Sequence, residues 1–431
     1  MLSLEETLKT FKIQLAALEY PVLFSQAVIR EFGVLPFPTL ELRIKGCLKT
    51  CQDLFLYARS CPLDEVVIAF GEELTDALHH YQIFIITSES KSKVRSRFRI
   101  LWFLQKAILI PYRKYLSGDP VYIGADSFTL FRNVRLPPSH SSVLDLFTGS
   151  GIQLLLNSCY FSKGLGIDSN PSAIETAQMN TIMNDLDQKF TFYQADISQL
   201  LHNNPLSNFL PVNVLLANPP ILPVPPSSRY ATQKHSYGGS DGLKYIRQTC
   251  LILPDLLLPQ GLANILLCSL GNEKPFLLSE INSLLPSSFH YTLICLKKIP
   301  VELDVIYRPK KEQKIWLEHF AQLEANYWFR LLLRIDGTLN KSKYVELNRT
   351  HFDITPSSSF AFPSALEKKF LSALESKGLS IALLQEKSLY DAATHLSKLF
   401  PKLFPSVGDS LKFWAKYYEK RLSLAYERVL W

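Results

Sequence analysis

A chain of 431 residues, 47% hydrophobic and 20% charged, is long enough for two or three domains and too apolar to be a disordered chain. The formal net charge of +7 permits a nucleic-acid or acidic protein partner without requiring one. No stretch offers the roughly 18 uninterrupted apolar residues of a spanning helix, since ILWFLQKAILI is broken by Gln105 and Lys106, so no membrane partner is expected. The amino terminus carries acids where a secretory leader would be apolar, which makes a cytoplasmic location the default reading. Seven cysteines lie scattered in apolar surroundings without a CxxC pair. Reduced core thiols and no metal are expected, because Cys47, Cys51 and Cys61 lack partner ligands.

The first 80 residues read as helices: LEETLKTFKIQLAALEY, SQAVIREF, LELRIKGCLKTCQDLFLYARS, and two short ones around Gly71. YQIFIIT and FRILWFL then read as a strand pair joined by a basic loop that carries Lys91, Lys93, Arg95, Arg97 and Arg99. The pattern suggests a helical, winged-helix-like module over residues 1–117, its basic tip either facing phosphates or keeping a hairpin soluble. In VYIGADSFTLF, Asp126 and Ser127 either sit beside a ligand or begin a helix.

From Val143 onward, short apolar runs alternate with helical stretches, the pattern of a parallel sheet with crossover helices. VLDLFTGSG is a strand, an acid and a glycine turn, followed by a helix from Ile152. Gly149 and Gly151 allow a left-handed backbone and close approach to a ligand. A dinucleotide fingerprint would want a further glycine where Leu154 stands. S-adenosylmethionine, which has no phosphates, asks instead for an acid in the turn, Asp145, and an acid at the end of the next strand for the ribose, Asp168. Asp168 lies at about the twenty-residue spacing of a ribose acid. Asn170 and Pro171 are a cap and a first-turn proline for the helix that follows. A third strand ends at Asp196, which can accept from an adenine amino group while Ile197 offers the ring an apolar face.

The strand VNVLLA delivers Asn218, Pro219, Pro220 and Ile221. An amide or aromatic amino nitrogen is a poor nucleophile, because its lone pair is delocalised. The Asn218 side-chain oxygen and the Pro219 carbonyl can take its two N–H groups and aim the lone pair, with the prolines fixing the backbone. Positioning is then most of the catalysis.

VLDLFTGSG, GIDSNP, YQAD and ANPP resemble the motifs of Rossmann-like S-adenosylmethionine-dependent methyltransferases that modify amide and exocyclic amino nitrogens. SYGGSDGL, with Gly238, Gly239, Asp241, Gly242 and Leu243, is similar to the segment after NPP in release-factor glutamine methyltransferases. The resemblance covers residues of about 118–300. It implies an α/β fold with a mostly parallel seven-stranded sheet over 118–308, and S-adenosylmethionine bound by Asp145, Phe147, Gly149, Gly151, Asp168, Asp196, Ile197, Asp126 and Ser127. It also implies catalysis by Asn218, Pro219, Pro220 and Ile221 on a macromolecular substrate, a glutamine side chain of a protein. An amino group of an RNA or DNA base is the alternative, and a cofactor-binding regulatory protein without catalysis is the second. Three positions depart from the family: Ile221 replaces an aromatic, Phe147 replaces a glycine, and LLCSLG stands where an acid is usual.

After the sheet, VELDVIYR is expected to pair in a hairpin with YTLICLKKI. Residues 309–431 read as a mainly helical extension that includes KEQKIWLEHFAQLEANYWFRLLL. Its aromatics at Trp316, Tyr327, Trp328, Phe329, Trp414, Tyr417 and Tyr418 suit either a partner surface or an ordinary core.

Overall fold

The computed structural model describes residues 2–21, 45–86, 93–112, 115, 119–121, 123–137, 141–202, 209–233, 236–305, 308–337, 339, 341–346, 398, 400 and 401. SQAVIREF, Lys91 and the segment from 347 to 397 lie outside them, as do Trp414, Tyr417 and Tyr418. The chain divides into two compact units, one carrying Met1–Tyr115 and Ile182–Asn184, the other Leu116–Thr181 and Asp185–His351.

In the first unit, helix Leu4–Ala17 starts at a capping box: Glu6 N–H donates to Ser3 Oγ at 3.2 Å and Ser3 N–H to Glu6 Oε2 at 2.8 Å. Helices Cys47–Cys51, Leu63–Phe70 and Glu72–His80 follow, the last two meeting at Gly71 with φ 79°. Phe11 makes edge or tilted ring contacts with Phe55, Phe70 and Phe84, and these four rings form the centre of the unit.

Five strands belong to this unit: β1 (Cys61–Pro62), β2 (Phe84–Ile86), β3 (Lys93–Ser96), β4 (Phe98–Phe103) and β5 (Lys106–Pro111). The pairing differs from the expected hairpin. β2 pairs with β3, part of the basic segment itself, whereas FRILWF pairs with KAILIP. The physical reason is the two-residue turn at Leu104 and Gln105, with φ 48° and 60°. A turn of that hand matches strand twist, although neither residue is one that favours it.

The second unit holds one eight-stranded sheet. Its strands are β6 (Ser141–Leu146), β7 (Phe161–Asp168), β8 (Phe190–Gln194), β9 (Val212–Ala217), β10 (Leu257–Gly271), β11 (Tyr291–Pro300), β12 (Tyr327–Asp336) and β13 (Lys343–Glu346). The order is β13-β11-β12-β10-β9-β6-β7-β8. β8, β7, β6, β9 and β10 are mutually parallel, and β12 runs antiparallel between β10 and β11. The chain leaves β6 first toward β7 and later returns to place β9 on its other side. The carboxyl ends of β6 and β9 therefore flank a topological switch point, where open α/β sheets bind their ligands.

Three expectations for the end of the sheet are corrected. Val301–Val305 is a short helix rather than a hairpin strand, and β11 pairs instead with β12, a strand where a helix is expected, and with β13. In YWFRLLLRID most positions are buried because both faces of the sheet are covered there, Leu332 packing with Leu130 of helix Ala125–Asn133 and Leu331 and Leu333 facing the main core, so no alternation survives to mark it. Only KKEQKIWLEHFAQ of that stretch is helical, as Lys310–Gln322. β13, parallel to β11 at the edge, makes the sheet eight-stranded rather than seven-stranded.

Inside β7, glycines stand at 164 and 166 because β8 lays Phe190 and Phe192 across them. A Cβ at 164 would lie 2.6 Å from the Phe190 ring, and one at 166 would lie 2.5 Å from Phe192 and 2.8 Å from Thr148 Oγ1. The main core packs strand residues such as Leu144, Leu165, Leu215 and Ile265 against Ile246 and Leu253 of helix Lys244–Leu256.

The turn between β4 and β5 gives a direct check. Replacing Leu104 and Gln105 with Asn and Gly relieves two left-handed residues, and should raise the stability of the first unit by about 1–2 kcal/mol in urea unfolding.

Candidate functional site

Asp145 is the next-to-last residue of β6, in register with Gly166 of β7 and Leu216 of β9, and is 1% exposed. The turn after it folds back on that acid and on the end of β7. Thr148 Oγ1 donates to Asp145 Oδ2 at 2.7 Å, and Thr148 N–H donates to the Ile167 carbonyl at 2.9 Å. Gly149 N–H donates to Asp168 Oδ2 at 2.9 Å, while Asn170 N–H holds Oδ1 of the same carboxylate at 2.9 Å. Asn170 also caps the next helix, Pro171–Met183, through Ser172 N–H at 3.0 Å.

Phe147, Gly149 and Gly151 all have positive φ, at 59°, 54° and 77°. At Phe147 a left-handed backbone carries a strain of about 1–2 kcal/mol, and the position explains why a glycine is usual there. Its ring meets Tyr245 edge to face at 5.3 Å. Gly151 is needed for packing as well as conformation: a Cβ would lie 3.3 Å from both Ala177 and Phe192.

Electrostatics mark the same place. Burial pushes the Asp145 carboxyl up to about 7; the Thr148 hydroxyl opposes the rise and the Asp168 charge adds to it. Burial also raises Asp168, against the backbone N–H groups of Asn170, Gly149 and Ser169. Oδ1 of Asp145 is fully buried and accepts no hydrogen bond from the described residues. A buried acceptor beside a second acid, at a glycine turn, fits a positively charged ligand group.

Asp196 follows β8 and accepts from Ser198 N–H at 2.9 Å and Ser198 Oγ at 2.6 Å. Tyr245 joins the site without having been picked out by any motif. Its hydroxyl is raised first by burial, then by the charges of Asp196, Tyr237, Asp119 and Asp168, which places it among the strand-end acids.

Asn218, Pro219, Pro220 and Ile221 leave the carboxyl end of β9, where Ala217 is in register with Leu146 of β6. Asn218 is half-buried, and no hydrogen bond ties its side chain to the described residues. The GGSDGL loop lies directly against this segment. Gly238 N–H donates to the Leu222 carbonyl at 2.9 Å, Leu222 N–H to Ser236 at 2.9 Å and Val224 N–H to Gly239 at 3.0 Å. The loop's glycines are needed for that approach: a Cβ at 238 would lie 2.8 Å from the Ile221 backbone and 2.9 Å from the Pro220 oxygen, and one at 242 would lie 2.8 Å from the Ile221 oxygen.

Asp241 then fixes the loop to its helix. It accepts from Leu243 N–H at 3.0 Å and from Arg247 at 2.6 Å, while Arg247 grips Glu280 with two bonds of 2.9 Å. From the other side, helix Lys310–Gln322 bonds the loop through His319 Nε2 and the Ser240 carbonyl, 2.6 Å apart. Glu312 of that helix accepts from Ser228 Oγ at 2.7 Å.

Four of the expected site residues have settled positions away from an open pocket. Ile221 is 5% exposed and packs with Val224, Trp316, Phe320 and Trp328, rather than standing free to cover a planar group. Ile197 is packed in the main core. Asp126 pairs with Arg330 of β12 at 3.1 Å. Ser127 Oγ faces back to Gly124 N–H at 3.5 Å, the contact of a helix start, and its carbonyl accepts from Gln153 Nε2 of helix Ile152–Leu156 at 2.7 Å. No group of three or more His, Cys, Asp or Glu able to hold a metal occurs among the described residues, and no described helix is long and apolar enough to cross a membrane.

No family profile matches the chain. It is 29% identical over 183 residues to a protein of Methanocaldococcus jannaschii that carries the provisional name protein N5-glutamine methyltransferase, covering 41% of this chain and 84% of that one. It is 29% identical over 146 residues to the ribosomal protein uL3 glutamine methyltransferase of Bradyrhizobium diazoefficiens, covering 32% of this chain and 43% of the relative, so it spans less than half of that protein. Among solved structures, the YcgJ protein of Bacillus subtilis aligns with 51% of this chain and 98% of its own, at 17% identity and a TM-score of 0.31. The chain is an α/β enzyme, a methyltransferase. Its named relatives are protein glutamine methyltransferases.

The raised Asp145 pKa has a signed consequence. The folded carboxyl holds its proton up to about 7, whereas an unfolded one releases it near 3.9. The folded state therefore binds more protons between those values, and stability falls as pH rises through that window. Thermal unfolding of the ligand-free protein from pH 4 to 8 should show this loss, and Asp145→Asn should flatten the slope.

Proposed function

We propose that this enzyme methylates the side-chain amide nitrogen of a glutamine in a protein partner. The observation that carries the reading is the placement of Asn218 and Pro219 at the end of β9, beside the acid-lined turn of β6 and β7 and buttressed by the GGSDGL loop. The two relatives are named as glutamine methyltransferases, one of them provisionally.

In this reading the turn Phe147–Gly151 and Asp145 receive the methionine part of the cofactor, Asp168 the ribose hydroxyls and Asp196 the adenine amino group. When bound, S-adenosylmethionine supplies a methyl group on a cationic sulfur that leaves as a neutral thioether. The protein's work is orientation. Asn218 Oδ1 and the Pro219 carbonyl each accept one N–H of the acceptor amide, which fixes its plane and turns the nitrogen lone pair toward the methyl. Pro219 and Pro220 hold the backbone so that little reorganisation is needed. Asp126 and Ser127 support the adjacent helix, and Ile221 and Ile197 support the pocket from beneath. Tyr245 closes the pocket wall next to Phe147.

The alternative acceptor, an amino group of an RNA base, rests on Lys93 and Arg95, both exposed along β3. The protein reading predicts that neutralising this pair leaves methyl transfer to a protein acceptor unchanged. An RNA enzyme would instead lose affinity and salt dependence.

Asn218→Ala should lower methyl transfer to a protein acceptor by about 10²-fold or more, the scale for loss of one positioned hydrogen-bonding group. Cofactor affinity should stay near that of wild type, and mass spectrometry should locate the methyl on a glutamine side chain. A variant with unimpaired turnover would remove Asn218 from the reaction. Gly238→Ala, which drives a Cβ into the backbone of Pro220 and Ile221, should likewise depress turnover more than cofactor binding in a calorimetric and radiolabel comparison.

A further inference from the structure

The second unit carries a separate cluster of cations at the far edge of its sheet. Arg135, following helix Ala125–Asn133, joins Arg334 and Asp336 of β12, Thr292 and Ile294 of β11, and Lys343 and Val345 of β13 around a cavity of about 260 Å³. Asp336 is 5% exposed, and Arg135 already takes it at 2.6 Å. Arg334 donates to neutral acceptors, the Asn133 carbonyl at 2.9 Å and Asn264 Oδ1 at 3.5 Å. Lys343, exposed on β13, has no ion pair among the described residues. Among the described residues, three cations thus face one carboxylate, a surplus of two positive charges in one partly enclosed space.

Nothing in the fold requires this surplus. The Arg135–Asp336 pair alone ties the segment after the helix to β12, and Asn264 already holds the Arg135 backbone through N–H at 3.1 Å and its carbonyl at 2.9 Å. Arg334 bears the cost: burial lowers its pKa, and the like charge of Arg135 lowers it further against the pull of Asp336. A guanidinium in that setting is stabilised by an added anion, and its planar fork is suited to oxygen atoms spaced as in a phosphate.

We propose that Arg135, Arg334 and Lys343 form a binding site for a phosphate group, independent of the methyl-transfer site. The cavity is small by the standard of organic-ligand pockets, roughly 300–1,000 Å³, which fits a phosphate or the phosphate end of a mononucleotide. The dianion matches the charge surplus.

The test is calorimetric titration of the full chain with inorganic phosphate and, separately, with adenosine monophosphate, in saturating S-adenosylmethionine so that the adenosine pocket is filled. Sodium chloride at matched ionic strength is the control. Phosphate should bind at millimolar or lower concentration, and both Lys343→Glu and Arg334→Gln should weaken it at least tenfold. Tighter binding of the mononucleotide would identify a nucleotide phosphate as the source, and equal binding would identify free phosphate. Lys343 is exposed at the sheet edge, so its variant keeps the test independent of folding. Failure of phosphate to bind beyond the chloride control would overturn the proposal, as would affinity unchanged in both variants.

Discussion

The whole site depends on one carboxylate being held from two directions. Asp168 takes the Gly149 N–H from the turn after β6 and the Asn170 N–H from its own strand end. The first bond joins consecutive parallel strands just beyond the sheet and fixes the turn that Phe147, Gly149 and Gly151 make possible with positive φ, while the second orients the carboxylate on its own strand end. Because the amides come from the protein, the carboxylate keeps its orientation before any ligand arrives, which is the sense in which such a site is preorganised. Asp145 contributes the opposite feature, a buried oxygen left without a partner among the described residues.

A second constraint governs the acceptor side. The NPP segment is not self-supporting. Its backbone is paired with the GGSDGL loop, that loop is pinned by Asp241, Arg247 and Glu280, and helix Lys310–Gln322 reaches the same loop through His319 and the neighbouring turn through Glu312. Arg308 lies 3.5 Å from the Trp316 ring centroid beneath this assembly. Residues well after the recognisable motifs thus hold the segment proposed to orient the substrate amide, and β12, between β10 and β11, makes them part of the sheet's own unit.

The parallel sheet and its acids were legible because Asp145, Asp168 and Asp196 each close a short apolar run, and because Asn170 and Pro171 announce the next helix. The motif glycines were legible too, though their reasons differ: Gly151 serves a left-handed turn and close packing, whereas Gly238 and Gly242 clear space for another backbone. β12 was hidden because a strand covered on both faces shows no alternation, and its apolar run suits a buried helix equally well. Ile221 looked free to meet a substrate only because its neighbours, Trp316 and Phe320, come from about a hundred residues later. Tyr245 carries no motif, and only the packing of its helix brings it to Phe147 and the strand-end acids.

The measurement that bears most directly on this account is calorimetric titration of the purified chain with S-adenosylmethionine, wild type beside Asp168→Asn and Asp168→Ala. The account predicts binding in the micromolar range, about −8 kcal/mol, weakened at least tenfold when the carboxylate is removed, with the asparagine variant keeping the fold. Wild-type affinity in both variants, or no binding by the wild type, would contradict a pocket organised around Asp168.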